Sequence, residues 1–370
     1  MPLSPTQRPV PAEAPRPGRA KRRRVSWDLL RVGAVGLVLL FHGTFLVRQW
    51  HPEMAARPFV FPYQLGASLL LVISGYFAAL SLRKGDVVRW WAGRMARMLP
   101  AFLVGVLGTS LFLRLFAPPG WYVPTLHDVL ANLAMLWTWK PQVFPYVDAA
   151  HWTIPLQLLW FTAIFVLWRS RRMGGDTAVR ALWIVLVVEL ALLPVRLNLQ
   201  SETFRMLYDG FGLYRVHLFT AGIAVYLWSA RRLRGPHASG LLGVCVFVHL
   251  CQTRHVSWTI GLAVGIVVVS VAALGPDWDR FVPDPLVRAL RWTAGITYPV
   301  YLVHQSIGYV VMRRLQDVGV GPWGQLVGFT VVAIGFGWVL TVLVERPAHR
   351  AIMRGFDRLR PTPAVVRPVD

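Results

Sequence analysis

The sequence predicts an all-α protein, a polytopic transmembrane helix bundle of about ten spans with both termini cytoplasmic. Three observations predict it. Hydrophobic residues make up 55% of the chain and charged residues only 15%, with mean hydropathy +0.49, which leaves too little polar surface for a soluble globule of 370 residues. Apolar runs of about 20 residues, the length that crosses a hydrocarbon core, recur along the chain. Lysine and arginine concentrate in alternate connections between those runs, as the positive-inside rule requires.

Residues 1–25 are proline-rich, lack an apolar core and include the basic run Lys21 to Arg24, so they read as a disordered basic tail. The first apolar run is long and lies behind those bases, which points to an uncleaved signal anchor rather than a cleavable signal peptide. The runs fall at 32–50, 63–82, 98–116, 152–168, 181–197, 211–230, 239–252, 256–275, 295–312 and 323–344. With the amino terminus inside, the inside connections hold Arg83, Lys84, Arg89, Arg94 and Arg97; Arg169, Arg171, Arg172 and Arg180; Arg231, Arg232 and Arg234; and Arg280, Arg288 and Arg291. The outside connections are poorer in bases throughout. A membrane domain over 26–350 and a cytoplasmic tail over 351–370 complete the expected organisation, with no soluble domain after the bundle.

Val129 to Trp139 is also apolar, but eleven residues are too few to cross, and a crossing would put the Arg169–Arg180 cluster outside. It is expected to be a re-entrant or interfacial segment on the outer side. The surrounding stretch 117–150 carries Trp121, Tyr122, Trp137, Trp139 and five prolines, and is expected to form an aromatic outer cap or to rest at the headgroups.

The net charge of +22 does not indicate nucleic acid, because the bases punctuate the ends of apolar runs, where membrane lipid is their partner. Cys245 and Cys251, six residues apart in one short run, point to different sides of a helix and read as core filling. No cluster with metal-ligand spacing and no phosphate-cradling glycine loop occurs, so no metal and no permanently bound cofactor is expected.

The chemistry is carried by polar residues inside the runs. Arg31 and His42 are eleven residues apart, almost three helical turns, so they share one face with a rise of roughly 16 Å between them. A polar stripe running from the surface to mid-membrane is costly unless it faces a protein interior or a cavity, which makes His42 a candidate site residue; a structural histidine satisfied by a neighbouring helix is the competing reading. Ser74-Gly75-Tyr76 places small residues within the second run, where close helix packing is expected. Arg94 and Arg97 share a face near the cytoplasmic surface and serve either as headgroup anchors or, with Arg31, as a cationic mouth for a phosphate-bearing molecule. Tyr298, Tyr301 and His304 occupy successive turns around Pro299, which loosens the local backbone. A pairing of Arg215 with Glu189 is disfavoured by their different depths, and Arg196 can snorkel outward.

Several strings occur together and in order over about residues 26–347: Asp28-Leu-Leu-Arg31 with His42; Leu71-Val-Ile-Ser74-Gly75-Tyr76; Arg94-x-x-Arg97 with Pro100; Trp152-Thr-Ile-Pro-Leu-Gln157; Thr297-Tyr298-Pro-Val-Tyr301-Leu-Val-His304; and Glu345-Arg-Pro347. This ordered set resembles the acyltransferase 3 family of integral membrane acyltransferases. The resemblance implies a bundle of about ten helices in a bacterial plasma membrane. Its activity would move an acyl group, expected to be acetyl, from acyl-CoA as donor substrate to a hydroxyl of a carbohydrate or glycosylated acceptor. It makes His42 the catalytic residue with Arg31 its companion, assigns Arg94 and Arg97 to the donor side, and leaves Trp152, Gln157, Tyr298, Tyr301 and His304 as site-lining. Some relatives carry an added esterase-like domain, so this chain is expected to act alone or beside a partner transferase.

One position departs from the family's pattern. The tryptophan motif usually closes on glutamate, and here Gln157 stands there; an amide hydrogen-bonds but carries no charge and exchanges no proton at neutral pH. Either glutamine suffices to position a substrate, or Glu189 or Asp148 supplies a carboxylate. Acyl-CoA is expected to approach from the cytoplasm, with Arg31, Arg94 and Arg97 on its phosphates and its thioester directed up a channel to His42. That histidine then acts as base or carries the acyl group itself, and Asp28 orients Arg31 from three residues away. A transporter using a buried polar path and an inactive scaffold are the other classes open at this point.

Overall fold

The computed structural model describes residues 23–82, 86–169, 176–199 and 201–360, so most of the basic tail, Arg83, Lys84, Arg171, Arg172 and the end of the second tail lie outside the described residues. Every regular element among them is helical. Helix α1 (Val25–Phe41) passes through a π turn, His42–Leu46, into α2 (Val47–Trp50). There follow α3 (Leu65–Leu82), α4 (Val87–Phe116), the short α5 (Leu126–Leu133), α6 (Thr153–Arg169), α7 (Asp176–Asn198), α8 (Glu202–Gly210), α9 (Val216–Ser229) and α10 (Gly235–Thr253). The chain continues as α11 (Val256–Leu274), α12 (Asp284–Ala294), α13 (Thr297–Val303), α14 (Gln305–Asp317) and α15 (Pro322–Leu340). A second π turn, Thr341–Glu345, leads into α16 (Arg346–Leu359). The helix therefore runs on past residue 350, across the expected start of the second tail.

Among the described residues, seven helices are long and apolar enough to cross a membrane: Val25–Trp50, Leu65–Leu82, Val87–Phe116, Ala149–Arg169, Thr177–Asn198, Val256–Leu274 and Pro322–Leu359. The other three runs of the sequence are helical too, as α9, α10 and the α13–α14 pair. They fall short because α9 has 14 residues, α13 and α14 are divided at His304, and α10 carries His237, His249 and Gln252. The end of the bundle where α1 begins is called here the proximal face and the opposite end the distal face.

Local chemistry sets the element ends. Asp86 caps α4 by accepting from the amides of Val88 and Arg89. Thr125 and Asp128 form a reciprocal capping box at α5. At two turns long, α5 is too short to cross, in keeping with the interfacial reading; it exposes Leu126 and Leu130 while burying Asp128, Ala131 and Asn132.

The core is built around α3, which packs on α1, α6, α9 and α11. Its closest approach is to α9. A Cβ on Gly75 would collide with the backbone of Phe219, and one on Gly222 with the backbone of Val72 and Tyr76, so the expected small-residue contact at Ser74-Gly75 is real and has a glycine on each side. Outward faces keep large apolar side chains, among them Leu107, Leu111, Val264 and Val331, as a hydrocarbon surrounding favours. Cys245 is buried and both cysteines are free.

Candidate active site

His42 sits at the first position of the π turn in the α1–α2 span, 7% exposed. A π turn inserts one residue into the helical repeat and is frequent at functional sites. Its Nδ1 lies 2.9 Å from Nε2 of His304, and Nδ1 of His304 lies 2.9 Å from the Tyr301 carbonyl oxygen. A carbonyl can only accept, so His304 donates from Nδ1 and its Nε2 is free to accept; His42 then donates from Nδ1 and holds a bare Nε2. The second histidine therefore fixes the tautomer of the first.

His304 is placed by a break in its helix. The amide of Ser306 donates to Asp148 Oδ2 at 2.9 Å instead of continuing the ladder, and the carbonyl of Leu302 takes His151 Nε2 at 2.8 Å. Asp148 and His151, just ahead of α6, thus replace one hydrogen bond between α13 and α14 with two side-chain bonds. Asp148 also accepts the Ala150 amide, so it is spent on structure and does not supply the carboxylate missing at position 157.

Toward the proximal face a cavity of about 150 Å³ is lined by Arg31, Leu70, Ser74, Arg94, Arg97, Gln157, Tyr298 and Tyr301, among others. It shares Arg31, Phe77, Arg94 and Arg97 with a wider opening of about 440 Å³ that adds Arg89 and His349. Within this mouth Arg31 reaches Asp28 at 3.4 Å and lies 4.2 Å from the centre of the Phe77 ring, while Asp28 also takes Arg23 at 2.8 Å. The expected orientation of Arg31 by Asp28 is present. Arg94 donates to the Phe77 carbonyl and to Ser81, each at 2.8 Å, and Arg97 donates to Glu345, in the second π turn, at 2.9 Å. Gln157 accepts from Ser74 at 2.7 Å, and Tyr298 donates to the Met98 carbonyl at 2.8 Å.

His42 and His304 are not among the residues lining this cavity, which ends at Leu70 and Tyr301. The expected channel from Arg31 to His42 is interrupted there. Tyr301 packs with Val38, one turn before His42, together with Leu70 and Trp152, and its hydroxyl accepts from Thr153 at 3.2 Å. A single side-chain layer therefore separates the cationic cavity from the histidine pair.

Trp152, expected beside Gln157, faces the other way. It lines a distal cavity of about 800 Å³ walled by Trp137, Trp139, Tyr146, Leu156 and Tyr214. Trp137 and Trp139 of the aromatic cap thus form part of a cavity wall, whereas Trp121 stacks on His51. The start of α6 meets both spaces, with Thr153 and Gln157 on the proximal cavity and Leu156, together with Trp152 just ahead of the helix, on the distal one.

The acyltransferase 3 family, described as an acyltransferase domain, matches residues 24–342. The chain belongs to the acyltransferase 3 family. No curated protein and no solved structure matches it. The matched stretch of this acyltransferase 3 protein holds Arg31, His42, Arg94, Arg97, Gln157 and His304, and ends within the second π turn, before Glu345.

Sequence reasoning missed a further buried chain in this acyltransferase 3 bundle. Glu189 lies 2.7 Å from His217 Nδ1, and His217 Nε2 lies 3.1 Å from His249 Nδ1, all three buried. The residues sit on α7, α9 and α10, so no sequence spacing links them; the only signal was that each interrupts an apolar run. Glu189 is therefore hydrogen-bonded to His217 and does not line the proximal cavity beside Gln157.

Proposed function

We propose that the protein is a membrane-embedded O-acyltransferase moving an acyl group, taken to be acetyl, from acyl-CoA to a hydroxyl of a carbohydrate or glycosylated acceptor, within a bacterial plasma membrane. The observation that carries this reading is the pair of cavities meeting at one stretch of α6, a cationic one at the proximal face and an aromatic one at the distal face. In this reading the proximal face is cytoplasmic, both termini lie there, and α9, α10 and α13–α14 complete ten crossings.

The donor's phosphates fit the mouth formed by Arg31, Arg94 and Arg97, since guanidinium groups bind phosphate through directed, charge-assisted hydrogen bonds. The thioester points inward to Leu70 and Tyr301, whose side chains move aside to admit it to His42. There the bare Nε2 removes the acceptor hydroxyl's proton while the oxygen attacks the thioester carbonyl. The carbon–sulfur bond breaks, the new ester forms, and the departing thiolate receives the proton from His42. General-base help of this kind contributes typically about a hundred- to ten-thousand-fold. Gln157, with Ser74, positions substrate by hydrogen bonding and takes no part in proton transfer.

The test is purified protein with radiolabelled acetyl-CoA and an envelope-glycan extract. Label transfer that His42→Ala abolishes supports the reading. Flux of a solute without transfer would replace it with a transporter, and neither activity would leave a scaffold.

A further inference from the structure

Where α9, α10 and α11 meet at the proximal face, small and apolar side chains leave a groove of about 720 Å³. Ser239, Gly243 and Val246 fall at three- and four-residue spacing along one side of α10, and Val267, Ser270 and Leu274 do the same on α11. Trp228, near the end of α9, closes the proximal end. A Cβ on Gly243 would meet no atom within 4 Å, and Val267 and Leu274 stay 61% and 48% exposed, so the two helices do not fill the space between them. Ser270 spends its hydroxyl on the Ile266 carbonyl at 2.8 Å and presents no free donor there. Because α11 is one of the membrane-crossing helices, what surrounds this groove is hydrocarbon.

The proximal rim is cationic. Arg24 donates to the carbonyl of Gly275, a lining residue, at 2.8 Å. The amide of Arg231 bonds the carbonyl of Trp228, and Arg232 and Arg234 follow in the connection to α10, all three exposed. Among the described residues none of the four has a carboxylate partner, and nearby Asp277 is engaged by the amides of Val25, Ser26 and Trp278. We propose that the groove binds an anionic phospholipid of the proximal leaflet, with an acyl chain between α10 and α11 and the headgroup phosphate among Arg24, Arg231, Arg232 and Arg234. The groove accepts the hydrocarbon of any phospholipid, and the rim supplies the preference for net negative charge. A second copy of the chain fits less well, because a two-fold contact brings like-charged rims together.

The experiment is native mass spectrometry of the full chain, delipidated in detergent and titrated with dioleoyl phosphatidylglycerol or dioleoyl phosphatidylcholine. Crosslinks from a phosphatidylglycerol with a diazirine in its acyl chain are mapped in parallel. Phosphatidylglycerol is expected to bind at one site about fivefold or more tightly than phosphatidylcholine, with crosslinks on α10 and α11. Joint Arg231→Gln, Arg232→Gln and Arg234→Gln should bring that ratio below about twofold. Gly243→Leu fills open space and suits a helix, so it should lower binding of both lipids about fivefold with an unchanged melting temperature. Arg350→Gln with Arg354→Gln, on the arginine-rich α16, should leave the ratio as it was. Equal affinity for the two lipids, crosslinks confined to other helices, or a ratio lowered as much by the α16 variant as by the rim variant overturns the proposal. So does a dimer that excludes lipid and that Gly243→Leu disperses, which would give the groove to a second copy.

Discussion

His304 Nε2 lies 2.9 Å from His42 Nδ1, and a backbone carbonyl on the far side of His304 leaves that nitrogen only an acceptor's role. In the proposed reaction the pair would work like the orienting half of a catalytic triad, with an imidazole in place of the carboxylate. His304→Ala should therefore lower kcat about a hundredfold with little change in donor KM, the low end of what a positioned base contributes. His304→Gln keeps an acceptor for His42 and should retain more activity than the alanine variant. Steady-state kinetics with acetyl-CoA check both, and equal losses in the two variants would show that His304 acts by packing alone.

Asp148 and His151 hold the break at which His304 stands. Asp148→Ala leaves the Ser306 amide without its acceptor, a loss worth about 1–3 kcal/mol for a buried donor. The melting temperature should fall and kcat with it, while donor KM stays near the native value because the cationic mouth is untouched. Thermal unfolding followed beside kinetics separates this from a donor-binding defect.

The two mouth arginines should respond differently to removal. Arg94→Ala and Arg97→Ala both raise donor KM more than they alter kcat, as expected for loss of uniform binding. Arg97→Ala also strands the buried Glu345 carboxylate, so it should destabilise the protein as well, and adding Glu345→Gln should restore stability without restoring KM. A KM recovered by the second substitution would contradict the assignment of Arg97 to the donor.

Gln157 offers its oxygen to Ser74. Gln157→Glu preserves that acceptor and should keep transfer within about threefold, whereas Gln157→Leu removes it and should lower transfer about tenfold, in line with roughly 1–1.5 kcal/mol for a lost hydrogen bond. Transfer rates at saturating donor check this.

Asp128, in the cap outside the spans, carries a pH signature. Burial pushes its carboxyl up, but the amide and hydroxyl of Thr125, with Tyr122 and His127, outweigh that and hold its pKa below the usual carboxylate range. A depressed folded pKa means the stabilisation is complete above the unfolded value of about 3.9 and is lost as pH falls through the folded one. Acid unfolding of the cap, read by tryptophan fluorescence, should begin below about pH 4, and Asp128→Asn should flatten that limb.

The seven spans, the small-residue contact of α3 and the cationic cluster of Arg31, Arg94 and Arg97 were legible in the sequence because each depends on hydropathy, residue size or charge at fixed spacing. The helix break at His304 was not, since it depends on Asp148 and His151, more than 150 residues away in the chain. Trp152 was assigned to the same space as Gln157 because a motif read as a string hides that neighbouring positions on a helix point to different sides. The layer at Leu70 and Tyr301 was hidden for a similar reason, because it forms only when α1, α3 and α13 are brought together.

The two π turns have a mechanical consequence for the spans that contain them. An extra residue rotates everything beyond it by about 100° relative to an unbroken helix, so each span is in effect two cylinders out of phase with each other. In the first span this lets the Arg31–His42 face look into the protein while Val47 and the residues after it present a different meridian to their neighbours. In the last it turns Glu345 inward toward Arg97 at the point where the arginine-rich α16 begins. The carboxylate that anchors the cationic mouth is thus aimed by a one-residue slip in helical phase, and the imidazole marks the point in the first span where such a slip begins.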